Sequence, residues 1–113
     1  MASLIPQSWR KQVIAILDQG SMDRIIVRLR AIDDFQALFP GAFRYELFEC
    51  LAAALTRDDF EGREVTTMKE RGTVYEFIFN HRQTKIYSKI NLSPDGTVVI
   101  IYSAHRPLKG DTL

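Results

Sequence analysis

Hydrophobic residues follow a helical period in the first half of the chain. The first run lies between Ser8 and Gly20 and predicts an amphipathic helix that ends at the glycine. A second run, after the Pro40–Gly41 break, predicts another helix that reaches Leu55. The segment between these two runs also keeps helical spacing, although Ile25–Val27 suits a strand as well. We therefore expect a helical N-terminal half.

Beyond Phe60 the apolar period changes from helical to alternating, which is typical of strands. Four strands are predicted, at residues 65–71, 73–80, 84–92 and 97–103. The short polar connection 80–83 and the Ser-Pro-Asp-Gly turn 93–96 predict that neighbouring strands run antiparallel. The expected fold class is α+β, with N-terminal helices packed on a C-terminal antiparallel sheet of about four strands.

Length and composition narrow the class of protein. A chain of 113 residues with 46% hydrophobic and 26% charged residues is typical of one globular domain, so we expect residues 1–113 to form a single domain. No apolar run approaches the length of a membrane span and no signal-peptide pattern is present, so we expect a cytoplasmic protein with no membrane partner. The single cysteine, Cys50, lies in an apolar helical pattern and is expected in the core.

The charge and the absence of known motifs argue against several kinds of binding site. The net charge of +1 does not predict strong nonspecific binding to nucleic acid, although residues 61–113 carry eight basic against six acidic residues. The sequence has no glycine-rich phosphate loop and no Cys/His cluster at metal-ligand spacing, and His81 and His105 lie far apart. We expect neither a metal nor a cofactor.

The third predicted strand carries a polar face that suits RNA. Lys85, Tyr87, Lys89 and Asn91 alternate with apolar residues, and the last strand leads into His105. Lysines neutralise phosphates, tyrosine can stack on a base, and histidine titrates near neutral pH. An ordinary solvated sheet face shows the same alternation, and spacing alone favours that interpretation.

Glu76 is a further candidate on this face. A two-residue or four-residue loop within 80–83 is expected to place Glu76 opposite Tyr87 on the next strand. Glu76 is therefore either a candidate general base or a cross-strand partner of a lysine.

The order of these elements resembles the MqsR (motility quorum-sensing regulator) family of toxins, a branch of the RelE-like ribonucleases. The resemblance extends from Val13 to His105. It rests on the helix ending at Gly20, on the Asp59-Phe60 pair after the third helix, and on the strand Ile86-Tyr87-Ser88-Lys89-Ile90 followed by an apolar strand that closes on a basic residue.

The resemblance implies a toxin of a type II toxin–antitoxin system. Such a protein cleaves messenger RNA without a metal, through attack of the 2′-hydroxyl on the neighbouring phosphate, and its partners are mRNA and a cognate antitoxin protein. Tyr87 matches the family's catalytic tyrosine, and His105 matches the basic residue after the last strand. The family's lysine position is Gly62 here, so Arg63 is the nearest substitute, and no residue matches the family's glutamine near Gly72.

The predicted site therefore has catalytic, phosphate-binding and base components. Its catalytic residues are Tyr87, His105 and Arg63, and Glu76 is the candidate base. The residues expected to bind RNA phosphates are Lys85, Lys89, Arg106 and Arg71. Two other functions stay open: a non-catalytic RNA- or protein-binding module on the same fold, and a small-molecule enzyme with its site between the sheet and the third helix.

Overall fold

The computed structural model describes residues 2–108, and within that range it contains three helices and six strands. The α+β class is confirmed, but the sheet has six strands rather than four and is mixed rather than antiparallel throughout. The strand order is β1-β3-β4-β5-β6-β2. In chain order the elements are β1 (Ser3–Leu4), α1 (Gln7–Gln19), β2 (Ile25–Val27), α2 (Leu29–Leu38), α3 (Arg44–Leu55), β3 (Glu61–Val65), β4 (Thr73–His81), β5 (Thr84–Leu92) and β6 (Val99–His105).

The two additional strands come from the N-terminal half and occupy the edges of the sheet. The three residues of β2 pair in parallel with β6, with Ile25 beside Val99 and Val27 beside Ile101. The strand interpretation of this segment is therefore the correct one, and α2 begins only at Leu29. Although β2 has only three residues, it is anchored because the side chain of Ile25 is buried in the core. Its backbone completes the edge of the sheet.

The first strand after the helices lies earlier in the chain than predicted. The prediction placed it at residues 65–71, whereas β3 is Glu61–Val65 and residues 66–72 connect it to β4. Antiparallel pairing with β4 ends at Val65 beside Val74. Gly72, at the end of the connection, has φ +135°, a backbone conformation that interrupts strand pairing and favours glycine.

The hairpin between β4 and β5 turns through two residues, Arg82 and Gln83, both with positive φ. This geometry is typical of the tight turns that match strand twist. It sets His81 beside Thr84, so Glu76 lies directly opposite Lys89. The prediction that Glu76 lies opposite Tyr87 is therefore wrong by two residues, because only a four-residue loop would produce that register.

One side of the sheet packs against the helices and forms the hydrophobic core. Residues from every helix join alternate residues of β4, β5 and β6 in one buried cluster, with Phe35, Leu47 and Phe77 at its centre. The side chains between them in sequence point to the opposite side, which we call the open face. Within the described range, no helix has both the length and the apolar character that a membrane span requires.

The buried cluster also encloses a charged residue that the pattern did not predict. Arg10, on α1, is 6% exposed. Its guanidinium donates hydrogen bonds to the carbonyl oxygens of Ile5, Leu55 and Arg57, at 2.9 to 3.1 Å. Arg10 thus satisfies carbonyl groups at the end of α3 that have no partner within the helix.

Candidate functional site

Four polar side chains form a transverse row on the open face, one from each of four neighbouring strands. They are Arg63 on β3, Glu76 on β4, Tyr87 on β5 and His105 on β6. Arg63 pairs with Glu76 in register, and Tyr87 pairs with His105. The three predicted catalytic residues and the candidate base are therefore brought together, although 42 residues separate the ends of the row in sequence.

Glu76 lies at the centre of the row and joins two of its members. Arg63 Nε donates to Glu76 Oε2 at 2.6 Å, and the hydroxyl of Tyr87 donates to Glu76 Oε1 at 2.5 Å. The side chain of Glu76 is 12% exposed, whereas that of Arg63 is 40% exposed. The carboxylate is thus held between a cation and a hydroxyl, with limited contact to water.

Tyr87 and His105 stack at the other end of the row. Their ring centroids are 5.1 Å apart and the ring planes differ by 25°. Nδ1 of His105 lies 2.7 Å from the backbone oxygen of Arg106, which can only accept a hydrogen bond, so Nδ1 carries a proton. In the neutral ring, Nε2 is consequently the nitrogen that can accept a hydrogen bond.

The packing around Gly62 leaves no room for a side chain at position 62. A Cβ at Gly62 would lie 2.7 Å from both the backbone oxygen of Glu76 and Cδ1 of Ile5. Position 62 faces the helix-covered side, whereas Arg63 points to the open face and reaches Glu76. Arg63 is therefore the residue of β3 that joins the row.

The four predicted RNA-binding residues occupy different places. Lys89 follows Tyr87 by two residues on the same face and is half-buried, whereas Lys85 precedes it by two and is exposed. Arg106 is exposed next to His105. Arg71 lies in the 66–72 connection. Its backbone oxygen, rather than its side chain, contacts the open face, where it accepts a 3.3 Å hydrogen bond from Asn91.

The polar face of β5 is less solvated than alternation predicts. Tyr87 is 6% exposed and Asn91 is fully buried. Tyr87 is enclosed by its neighbours in the row, and Asn91 by Tyr102 and the 66–72 connection. The prediction of a uniformly wet face is wrong for these two residues, because the open face has a cover of loop and aromatic side chains.

A groove of about 360 Å³ borders His105 on the side of α2. It combines two arginines, a histidine and an aspartate with three apolar residues. The lining residues are Arg30, Asp34, Ala37, Leu38, His105, Arg106 and Leu108. An unpaired nucleotide needs both a cation for its phosphate and apolar surface for its base, and the groove provides both.

The second histidine has a different environment. Nε2 of His81 lies 2.7 Å from Glu46 Oε2, and the ring packs against Phe35 and Phe39. His81 thus anchors the β4–β5 hairpin to the helices. Among residues 2–108, no group of three or more His, Cys, Asp or Glu side chains is arranged to hold a metal ion.

Sequence reasoning missed Tyr102, Arg28 and Glu70, which meet beside the row. The apolar pattern assigns Tyr102 only to a strand and Arg28 only to a helical segment. Tyr102 in fact donates a 2.7 Å hydrogen bond to Glu70, and Arg28 lies over its ring. No sequence pattern predicts this contact, because the three residues come from separate elements of the fold.

No family model, curated protein or solved structure matches the chain.

Proposed function

We propose that this protein is a metal-independent endoribonuclease with a RelE-like fold, and that it acts as the toxin of a type II toxin–antitoxin pair. The observation that supports this function is the row Arg63–Glu76–Tyr87–His105, which assembles a cation, a carboxylate, a hydroxyl and an imidazole on one open sheet face. These groups are the ones that phosphodiester transesterification requires.

The cleavage begins with the 2′-hydroxyl of a single-stranded RNA. Its oxygen attacks the adjacent phosphorus while its proton passes to the Tyr87 oxygen, and Tyr87 transfers its own proton to Glu76. The 2.5 Å hydrogen bond from Tyr87 to Glu76 Oε1 already has the direction of this relay. Glu76 is therefore the final base, and Tyr87 is the group that touches the nucleophile. Because Tyr87 is 6% exposed in the free protein, this step requires that bound RNA displace part of the cover around its hydroxyl.

The leaving group departs with a proton from His105. Nδ1–H is held by the oxygen of Arg106, so protonated His105 donates from Nε2 to the 5′-oxygen as the P–O5′ bond breaks. The products are a 2′,3′-cyclic phosphate and a 5′-hydroxyl. The RNA thus gives one proton to the protein through Tyr87 and receives one from His105.

Arg63 stabilises the charge that develops on the phosphate. Its Nε holds Glu76, and its remaining guanidinium nitrogens can bind phosphate oxygens in a forked geometry. Lys89, Lys85 and Arg106 extend the positive surface on either side and position the strand. The proposal includes a cytoplasmic location and an antitoxin that covers the open face.

Purified protein and single-stranded RNA test this function directly. Tyr87→Phe and His105→Ala should each slow cleavage by about 10²–10⁴-fold, the usual contribution of a general acid or base. Tyr45→Phe is the matched control, because Tyr45 is an exposed tyrosine on α3, on the helix-covered side. EDTA should leave the rate unchanged, and the products should carry 2′,3′-cyclic phosphate ends.

Expression in bacteria separates an enzyme from a binding module. Growth arrest by the wild type and by Tyr45→Phe, with normal growth for Tyr87→Phe and His105→Ala, supports the nuclease. Equal effects of all four proteins on growth, together with equal cleavage rates in vitro, would overturn it in favour of a non-catalytic module.

A further inference from the structure

A second cluster of polar residues lies beside the catalytic row, around the ring of Tyr102. The guanidinium carbon of Arg28 is 5.8 Å from the ring centroid, and Nζ of Lys89 is 6.0 Å from it. Two cations therefore share one aromatic ring on the open face. Arg28 immediately precedes α2 and Lys89 lies on β5, so the fold, rather than local sequence, brings the cations together.

A β-bulge directs Tyr102 into this position. Lys89 pairs with Ser103, but the next residue, Ile90, pairs with Ile101, so Tyr102 is the extra residue of β6. Such an insertion changes the direction of a side chain and is frequent near functional sites. The Tyr102 hydroxyl accepts a 3.1 Å hydrogen bond from Nδ2 of Asn91, which holds the ring in place.

An anionic group already lies against Arg28 and the Tyr102 hydroxyl. Oε1 of Glu70 accepts a 2.7 Å hydrogen bond from Tyr102 and lies 3.6 Å from Arg28. The Tyr102 hydrogen bond, with a smaller contribution from Arg28, lowers the pKa of the Glu70 carboxyl, so the group is charged at neutral pH. Glu70 belongs to the exposed 66–72 connection, and its side chain is 38% exposed.

A carboxylate and a phosphodiester present the same recognition chemistry. Each carries one negative charge shared by two oxygens, and each accepts hydrogen bonds from arginine, lysine and a tyrosine hydroxyl. The cluster is also close to the row, because Lys89 and Tyr87 are alternate residues of β5, about 6.8 Å apart along the strand.

We propose that Arg28, Lys89 and Tyr102 form a binding subsite for the RNA phosphate next to the one that is cleaved, and that Glu70 occupies this subsite until RNA displaces it. The inference rests on the proposed function for the identity of the strand as RNA. Glu70 acts as a built-in competitor, so its removal strengthens binding while removal of either cation weakens it.

Binding of a fluorescent single-stranded DNA oligonucleotide, measured by anisotropy against salt concentration, tests the subsite without any cleavage. Glu70→Gln should tighten binding several-fold, and Arg28→Ala and Lys89→Ala should each weaken it and reduce the salt slope by about 0.7, the value for one phosphate contact on a single strand. The control for Glu70 is Glu64→Gln, an exposed glutamate of β3 whose register places it on the helix-covered side. Lys11→Ala, at an exposed position of α1, is the control for the cations.

Three results would overturn the subsite. The first is equal binding by Glu70→Gln and Glu64→Gln, because the effect would then be a general change in charge. The second is unchanged affinity and salt slope in Arg28→Ala. The third is competition by inorganic phosphate as effective as that by unlabelled oligonucleotide at equal phosphate concentration, because the site would then bind free anions. Loss of cleavage in Tyr87→Phe has no bearing on these readouts, so the two proposals fail separately.

Discussion

The hydroxyl of Tyr87 donates a hydrogen bond to Glu76 across the β4–β5 pair, although the residue directly opposite Glu76 is Lys89. The contact is diagonal, two residues out of register, and long side chains on one sheet face reach this distance. It places the carboxylate between Arg63 and Tyr87 instead of in a simple pair with lysine. The hydrogen bond from Tyr87 to Glu76 thus connects the Arg63–Glu76 pair to the stacked rings of Tyr87 and His105.

Replacement of Glu76 by glutamine should remove the proton acceptor and keep the shape of the side chain. We expect cleavage of RNA to fall by about 10²–10⁴-fold. Folding stability should fall by about 1 kcal/mol or less, because Arg63 is partly solvated and its ion pair is screened. Initial cleavage rates and urea unfolding measure the two effects. Glu61→Gln is the control, and an equal rate in both variants would contradict the role of Glu76 as base.

Gly72→Ala should destabilise the fold more than alanine at another glycine of positive φ. Gly72 has φ +135°, and a Cβ there would lie 2.0 Å from Oδ1 of the buried Asn91. Gly41 has φ +86° with no atom within 4 Å of the added Cβ, so it reports backbone strain alone. We expect Gly72→Ala to exceed Gly41→Ala by about 1–3 kcal/mol in the free energy of unfolding. Equal costs would show that the 66–72 connection does not press on Asn91.

Arg10→Met should destabilise the protein although it places an apolar residue in a buried position. Three carbonyl oxygens would lose their charged donor, and each such hydrogen bond contributes about 1.5–3 kcal/mol. Because methionine recovers part of this loss by packing, we expect a net cost of about 2–4 kcal/mol by chemical denaturation. Lys11→Met, at the exposed neighbouring position, should change stability by less than about 0.5 kcal/mol.

Cys50 should be unreactive in the folded protein. Burial, with a smaller contribution from Glu46, raises the pKa of its thiol from 9.0 to about 12. At pH 8 the thiolate fraction is therefore about a thousandfold below that of the unfolded chain, and a disulfide reagent should react slower by at least that factor. Native and urea-unfolded samples measured by thiol titration provide the comparison, and similar rates would contradict the burial.

The same pKa shift makes stability depend on alkaline pH. A thiol whose pKa is raised on folding stabilises the native state fully below pH 9, and this contribution is lost as the pH rises towards about 12. Cys50→Ala should therefore show a shallower decline in the free energy of unfolding between pH 9 and 11 than the wild type. Parallel curves for the two proteins would contradict the shift.

Local pattern determined the central part of this fold. Alternation over Thr84–Leu92 predicted β5 at its observed bounds, and Gly20, with φ +64°, ends α1 where the sequence places the stop. These elements were predictable because a strand with one buried face must alternate, and because a helix end needs a residue that tolerates the left-handed conformation. The α+β class follows from the same signals.

Pairing between strands decided which segments became strands, where they ended and in which register they paired. Ile25–Val27 becomes a strand only because β6 is available to pair with it, and β3 ends at Val65 only because the chain then leaves β4. The register of Glu76 depended on a turn of two residues rather than four, a difference that strand periodicity does not contain.

The sequence by itself determined which side chains were available for chemistry: Tyr87 and His105 on or near the last two strands, with Arg63 and Glu76 as candidates beside them. Only the tertiary structure decided that all four meet, and that Tyr102, Arg28 and Glu70 gather next to them. The physical reason is that periodicity specifies the face of a strand, whereas proximity between strands depends on their order, their register and a single bulge at Tyr102.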